Sequence, residues 1–216
     1  MAARPFSICF ICRGNRFRSP LAQAFVERLT LGFPVQISTA GTLEWDNVPA
    51  LAEAQQIAVL SGVDLSEHRS QRLSALSLEA IDLVIGFEEE QVRRAIVDAR
   101  AQRANTFTFR EFVRLVRNYA RAPEAMTVEG ARSAVSFAEA LRRRDPAAGK
   151  EPGMPDPFGR SWKAQLEIAA EIRDLSIELV QHLFGVDGSD ALPPIPENIR
   201  RRGQWRWRPR RSRSVR

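Results

Sequence analysis

Cysteine, histidine, lysine and tyrosine are scarce in this chain of 216 residues. Two cysteines and two histidines are too few for a convincing zinc site, and we expect no metal or other cofactor. So little cysteine favours a reducing compartment, so we expect a cytoplasmic protein. No apolar run approaches the length of a membrane span, and the first ten residues lack the pattern of a signal peptide.

Positive charge is concentrated at the C-terminal end of the chain. The net charge is +6, and residues 200–216 contain nine arginines and no acid; subtracting these nine leaves −3 for residues 1–199. We predict a disordered Pro- and Arg-rich tail over 188–216. Its arginines, interleaved with Trp205 and Trp207, would suit an anionic lipid surface or a nucleic acid, and a solvated basic tail explains them equally well.

A short apolar run near the start of the chain leads into a loop and then a helix. The apolar residues predict a buried strand over 6–12. Ser19 has the properties of a helix N-cap, and Pro20 suits the first helical position, so a helix is expected over 19–32. The backbone N–H groups of the loop between them can converge on one anion, aided by the helix dipole.

The residue types in this loop are those needed to transfer a phosphoryl group to sulfur. Cys12 supplies a nucleophile, and Arg18 supplies a planar fork that binds two oxygens at once. The helix N-terminus, the arginine and the Ser19 hydroxyl all favour the thiolate. Gly14 allows a tight turn, and Asn15 tolerates a left-handed backbone. In so arginine-rich a chain the Cys-x5-Arg spacing alone is weak, and its strand-to-helix setting makes it specific.

Strands alternate with helices along most of the chain. Strands are predicted at 6–12, 34–39, 81–86 and 104–108, and helices at 19–32, 49–61, 88–101 and 161–184. This alternation predicts a parallel sheet covered by helices on both faces. Nucleotide-binding glycine motifs are absent.

The segment from Cys12 to Ala22 resembles the phosphate loop of the low-molecular-weight protein tyrosine phosphatases, a family that also includes arsenate reductases. The resemblance continues at 38–42, 62–69, 82–85 and 156–159. It implies a three-layer α/β sandwich with a four-stranded parallel sheet, a flavodoxin-like fold. It also implies a phosphocysteine on Cys12, phosphoryl oxygens held by Arg18, and a loop shaped through Asn15, Thr39 and His68. The phosphate-binding residues would be Arg13, Gly14, Asn15, Arg16, Phe17 and Arg18, with Ser19 in support.

An acid is needed to protonate the leaving oxygen, and two Asp-Pro pairs compete for the role. Asp156 lies in a Gly- and Pro-rich loop directly before a helix, and it resembles the general acid of the family. Asp145 follows three arginines at a predicted helix end, and we interpret it as a helix stop.

Several other residues have positions with a meaning in this family. Trp45 and Phe158 correspond to aromatic walls of the substrate cleft. Phe17 stands where many members carry a second, protective cysteine. Cys9 lies mid-strand and is predicted to be a buried core residue rather than a redox partner of Cys12. Arg13 replaces a residue that is usually uncharged, as does Arg16, and both could favour acidic substrate flanks or simply face solvent.

The stretch 109–150 is longer than the resemblance leads us to expect. Helical apolar patterns begin at Phe109 and Val128, so a helical insertion is predicted within a phosphatase domain spanning 1–187. Extra packing on the same core is the simpler interpretation of this insertion. A lid or a partner surface is the other.

The function predicted is hydrolysis of phosphotyrosine or a related aryl phosphate, without a metal, because Arg18 and backbone amides supply the positive field. The substrate would be a phosphotyrosine protein, a tyrosine kinase among the options. Two alternatives stay open: a small-thiol-dependent arsenate reductase on the same scaffold, and a non-catalytic phosphate-loop binding module.

Overall fold

Four strands form one parallel sheet, as the sequence predicts, and in the numbering defined below their order is β2-β1-β3-β4. The computed structural model describes residues 4–117, 119, 127–145, 147 and 151–196. The strands are β1 (Phe6–Cys12), β2 (Val35–Gly41), β3 (Leu83–Gly86) and β4 (Thr106–Thr108). Because all four run the same way, their carboxyl ends share one edge of the sheet, where open α/β sheets bind ligands.

Six helices cover the two faces of this sheet within the described ranges. They are α1 (Arg18–Leu29), α2 (Ala52–Leu60), α3 (Glu89–Ala99), α4 (Phe109–Val116), α5 (Val128–Arg144) and α6 (Trp162–Phe184). None of these helices is both long and apolar enough to span a bilayer. The prediction of a three-layer α/β sandwich is confirmed.

Residues of β1 alternate between two apolar clusters. Phe6, Ile8, Phe10 and Cys12 join the larger cluster, to which α1, α4, α5 and α6 contribute. Cys9 and Ile11 join the smaller one, which contains Ala95 and Ala99 of α3. Successive side chains of a strand point to opposite faces, so Cys12 and Cys9 are directed to opposite sides of the sheet.

Two of the boundaries that differ from the predicted ones concern the loop after β1 and the extent of the packed body. The helix expected at Ser19 begins at Arg18, with Phe17 in the N-cap position and no side-chain cap bond. The packed body also continues past residue 187. Leu192 and Ile195 are buried in the larger cluster, and Arg173 Nε donates to the Leu192 carbonyl at 3.0 Å.

The predicted insertion contains α4 and α5. Apolar residues of both helices belong to the larger cluster. Asp145 ends α5, as expected of a helix stop. The Arg-rich segment 200–216 lies outside the described residues.

Candidate active site

The loop after β1 carries the candidate nucleophile at the carboxyl edge of the sheet. Cys12 is the last residue of β1 and is almost completely buried. Its Sγ lies 3.1 Å from Ser19 Oγ in the first turn of α1. Ser19 lies inside α1, which begins at Arg18. A hydroxyl hydrogen directed at sulfur stabilises the thiolate, as does the positive end of α1.

Gly41 lets the loop pass close to the end of β2. It pairs with Cys12 across the sheet, and its Cα faces the backbone of Gly14 and Asn15. A Cβ at this position would lie 3.0 Å from Asn15 N and Gly14 C, closer than packing normally permits. The loop therefore requires glycine here.

Asn15 connects the loop to the surrounding backbone. It adopts φ 51°, in the left-handed region that asparagine tolerates. Its amide donates to Ser19 Oγ at 2.8 Å, and its Oδ1 accepts from Gln71 N at 2.9 Å. His68 Nε2 lies 2.7 Å from the Asn15 carbonyl. Burial lowers the pKa of His68, which favours a neutral ring that donates from Nε2.

Replacing Asn15 separates the contribution of its side-chain hydrogen bonds from that of its left-handed backbone conformation. Asn15→Ala is expected to destabilise the protein by about 1–3 kcal/mol, because it leaves buried hydrogen-bond partners unsatisfied and adds left-handed strain. Asn15→Gly removes the hydrogen bonds without the strain, so it should cost less. Chemical denaturation of both variants measures the difference; equal stability of wild type and both variants would contradict this role.

Arg18 is buried at the start of α1, and one of its nitrogens is held by two partners. Its Nη1 donates to Glu88 Oε1 and, at 2.8 Å, to the Met154 carbonyl. Its Nη2 is buried and has no hydrogen-bond partner among the described residues. That nitrogen lies 3.6 Å from Asp156 Oδ2. A buried unpaired donor is costly, so this atom is suited to an anionic ligand.

Glu88 is a site residue that the sequence analysis missed. It follows β3 by two positions and also accepts at the N-terminus of α3, where it forms a capping box with Gln91. The carboxyl ends of β1 and β3 are adjacent, so the position of an acidic residue just beyond β3 is the sequence feature that could have indicated Glu88. Its carboxylate orients the guanidinium of Arg18.

Asp156, and not Asp145, lies beside the loop. Asp156 belongs to the segment 151–161, here called the acid loop. Its Oδ2 lies 3.8 Å from Arg13 Nη1 and 3.6 Å from Arg18 Nη2. Its Oδ1 accepts from Phe158 N at 3.2 Å. Asp145 accepts from Ala147 N at 3.0 Å, at the end of α5.

The aromatic residues predicted for a cleft are exposed. Trp45 is 45% exposed, and its ring packs on Gly14 of the loop, 3.5 Å from where a Cβ would lie. The Arg16 guanidinium lies 6.0 Å from the Trp45 ring centroid, and its Nε donates to the Pro49 carbonyl at 2.8 Å. Phe158 is 70% exposed and lines a groove with Leu51 and Trp162.

Phe17 and Thr39, two further residues predicted to belong to the site or to shape its loop, are both buried. Phe17 is buried in the larger apolar cluster. Thr39 is buried on β2 opposite Phe10, and its hydroxyl makes no hydrogen bond to the loop in the part of the chain that the structure describes. Its predicted role in shaping the loop therefore lacks a direct contact.

Cys9 is a core residue. It is fully buried, and burial raises the pKa of its thiol to about 11, which opposes reactivity. It is directed to the face of the sheet opposite Cys12, so a disulfide between the two would require rebuilding β1. Both cysteines are free thiols.

No cluster of metal-ligating side chains occurs among the described residues.

Comparison with known proteins finds relatives that match about a third to a half of this chain. A probable low molecular weight protein-tyrosine-phosphatase of Ralstonia solanacearum, EpsP, is 34% identical over 79 residues, which are 37% of this chain and 53% of that protein. A protein-arginine-phosphatase of Geobacillus stearothermophilus is 27% identical over 109 residues, 50% of this chain and 72% of that protein. The chain thus spans about half the length of the first of these relatives.

Solved structures share the fold. The low molecular weight protein tyrosine phosphatase from T. tengcongensis superposes with a TM-score of 0.59 at 23% identity, covering 82% of this chain and 99% of that one. The family model described as low molecular weight phosphotyrosine protein phosphatase matches residues 7–126, more than half of the chain. The chain therefore belongs to the low molecular weight phosphotyrosine protein phosphatase family.

Proposed function

We propose that this chain is a protein-tyrosine phosphatase that forms a phosphocysteine on Cys12. The observation that carries the proposal is the buried Nη2 of Arg18, which has no hydrogen-bond partner among the described residues and lies within reach of the Asp156 carboxylate. A phosphoryl oxygen would supply the missing acceptor. Family membership supports the same chemistry.

In the first step the Cys12 thiolate attacks phosphorus. A sulfur–phosphorus bond forms while the bond from phosphorus to the ester oxygen breaks. Arg18 and the backbone N–H groups of the loop stabilise the charge on the non-bridging oxygens. The Ser19 hydroxyl, 3.1 Å from Sγ, stabilises the thiolate before attack and after release.

Proton transfer in both steps is assigned to Asp156. Its carboxyl group gives a proton to the departing ester oxygen, so a neutral alcohol or phenol leaves. The resulting carboxylate then takes a proton from the water that attacks the phosphocysteine. The sulfur–phosphorus bond breaks, inorganic phosphate leaves, and the thiolate returns.

The proposed substrate is a phosphotyrosine residue of a protein. Trp45 and Phe158 are large exposed aromatic side chains near the loop and the acid loop, suited to flank a phenyl ring. EpsP carries the tyrosine-phosphatase name, whereas the Geobacillus relative is named for arginine. A phosphotyrosine peptide is expected to turn over faster than a phosphoarginine peptide, and the opposite order would reassign the substrate. A tyrosine kinase is one protein that would present such a residue.

Asp156→Ala is expected to slow hydrolysis of aryl phosphates by about 100-fold or more, because the leaving oxygen then departs unprotonated. Asp145→Ala is the matched control, an Asp-Pro aspartate at the end of α5, and should retain wild-type turnover. Steady-state kinetics without added metal measure both. A large loss in Asp145→Ala together with a normal rate in Asp156→Ala would overturn the assignment.

A further inference from the structure

The start of the acid loop is tied to α4 by arginine side chains. Arg110 Nη1 donates to the carbonyl of Pro152 at 2.7 Å and lies 3.3 Å from that of Gly153. Arg114 Nε lies 3.0 Å from the carboxylate of Glu151. Three consecutive residues that lead towards Asp156 are therefore connected to a single helix.

Arg110 is itself fixed in place. Its Nη2 donates to Glu171 Oε2 at 2.8 Å, and its Nε donates to the other oxygen of the same carboxylate on α6. Hydrogen bonding to Glu171 raises the pKa of Arg110, a side chain that is protonated in proteins in any case. A bidentate ion pair of this kind fixes the orientation of the guanidinium as well as its position. The guanidinium thus joins α4, α6 and the acid loop.

The residue that follows Gly153 transmits this anchorage to the site. Met154 is buried; its N–H donates to the Phe87 carbonyl at 2.8 Å, and its carbonyl accepts from Arg18. Gly153 packs against Glu88, the other partner of Arg18. Displacement of Pro152 and Gly153 would therefore move the backbone that places Asp156 beside Arg18.

We propose that Arg110 is a positioning residue for proton transfer by Asp156, acting through the backbone of Pro152 and Gly153. The inference rests on the proposed function. It gives α4, at the start of the region predicted as an insertion, a role in catalysis without any contact with the substrate. Small displacements of a catalytic group cost rate even when the protein remains folded.

The test compares Arg110→Met with Arg117→Met. Arg117, the residue directly after α4, is the matched control. It makes an equivalent bidentate ion pair with Glu178 of α6, at 2.8 and 3.1 Å. Its hydrogen bonds do not reach the acid-loop carbonyls. Each variant loses an ion pair with α6, and Arg110→Met also loses the hydrogen bonds to Pro152 and Gly153, so its melting temperature should fall further than that of Arg117→Met. Only Arg110→Met should alter proton transfer.

The decisive readout is the dependence of kcat/KM on the leaving group. Phenolate leaves poorly without a proton, whereas p-nitrophenolate leaves more readily. Arg110→Met is expected to lower kcat/KM for phenyl phosphate by about 10- to 100-fold, with a smaller loss for p-nitrophenyl phosphate. Arg117→Met should leave the ratio of the two unchanged. An equal loss on both substrates, or no loss, would overturn the positioning role.

A double variant tests whether Arg110 acts through Asp156. In an Asp156→Ala background, Arg110→Met should cost nothing further, because there is no proton donor left to misplace. Additive losses would contradict the proposal. If Arg110→Met does not fold, Glu171→Gln removes the charge and one of the two acceptor oxygens that hold Arg110, and it should show the same leaving-group signature with a smaller loss. A wild-type protein without turnover, or an Asp156→Ala variant without a leaving-group effect, would instead refute the proposed function.

Discussion

Replacing Cys12 with serine is expected to reduce hydrolysis of p-nitrophenyl phosphate to the rate seen without protein. A serine hydroxyl at the end of β1 remains protonated and cannot attack phosphorus at a useful rate. Arg18 and the loop amides are unchanged, so the variant should still bind inorganic phosphate. Turnover assays and calorimetric titration with phosphate measure the two effects separately.

Cys9→Ser is the control for this substitution. Cys9 is three residues earlier on the same strand, is buried and is directed to the opposite face of the sheet. Its replacement should cost stability and leave the turnover of the folded protein intact. Activity that survives in Cys12→Ser, or that disappears from folded Cys9→Ser, would show that the nucleophile is not Cys12.

Arg18→Lys is expected to lower kcat/KM by about 100- to 1000-fold, although the charge is retained. A lysine ammonium cannot donate to Glu88 and Met154 through one nitrogen while presenting a second nitrogen to phosphate. Only a guanidinium group can make both bonds through Nη1 and still leave Nη2 without a hydrogen-bond partner among the described residues. Steady-state kinetics and phosphate inhibition measure the loss.

Arg93→Lys provides the matched comparison. Arg93 is an exposed arginine on α3 that pairs with Glu90, one turn along the helix. Surface pairs of this kind contribute little, so its kinetics should remain those of the wild type. Similar losses in both variants would mean that Arg18 acts through general charge or stability and not through its position at the start of α1.

The sheet and the placement of three site residues follow from patterns that are local in sequence. Alternating strands and helices predict a parallel sheet, and parallel strands bring their carboxyl ends to one edge. Cys12 and Arg18 flank one loop, so their proximity follows from its length. A Gly- and Pro-rich loop before α6, together with the family resemblance, predicts a site role for Asp156, whose Oδ2 lies 3.6 Å from Arg18 Nη2.

Contacts that depend on tertiary packing were missed or wrongly assigned. Ser19 has the chemistry of an N-cap, but it lies inside α1, which begins at Arg18, and its hydroxyl contacts Cys12 and Asn15. Glu88 is separated from Arg18 by 70 positions, and no local pattern links them. Arg110 and Gly153 are 43 positions apart, and their contact exists only once α4 and the acid loop pack together.

Trapping the covalent intermediate tests the central claim most directly. The protein is quenched in acid during turnover of p-nitrophenyl phosphate, digested, and analysed by mass spectrometry. A single phosphoryl group on the peptide of Cys12, assigned to that residue and not to Cys9, is the predicted result. Continued turnover with the phosphoryl group on another side chain, or with no phosphorylated residue at any time, would contradict a phosphocysteine mechanism.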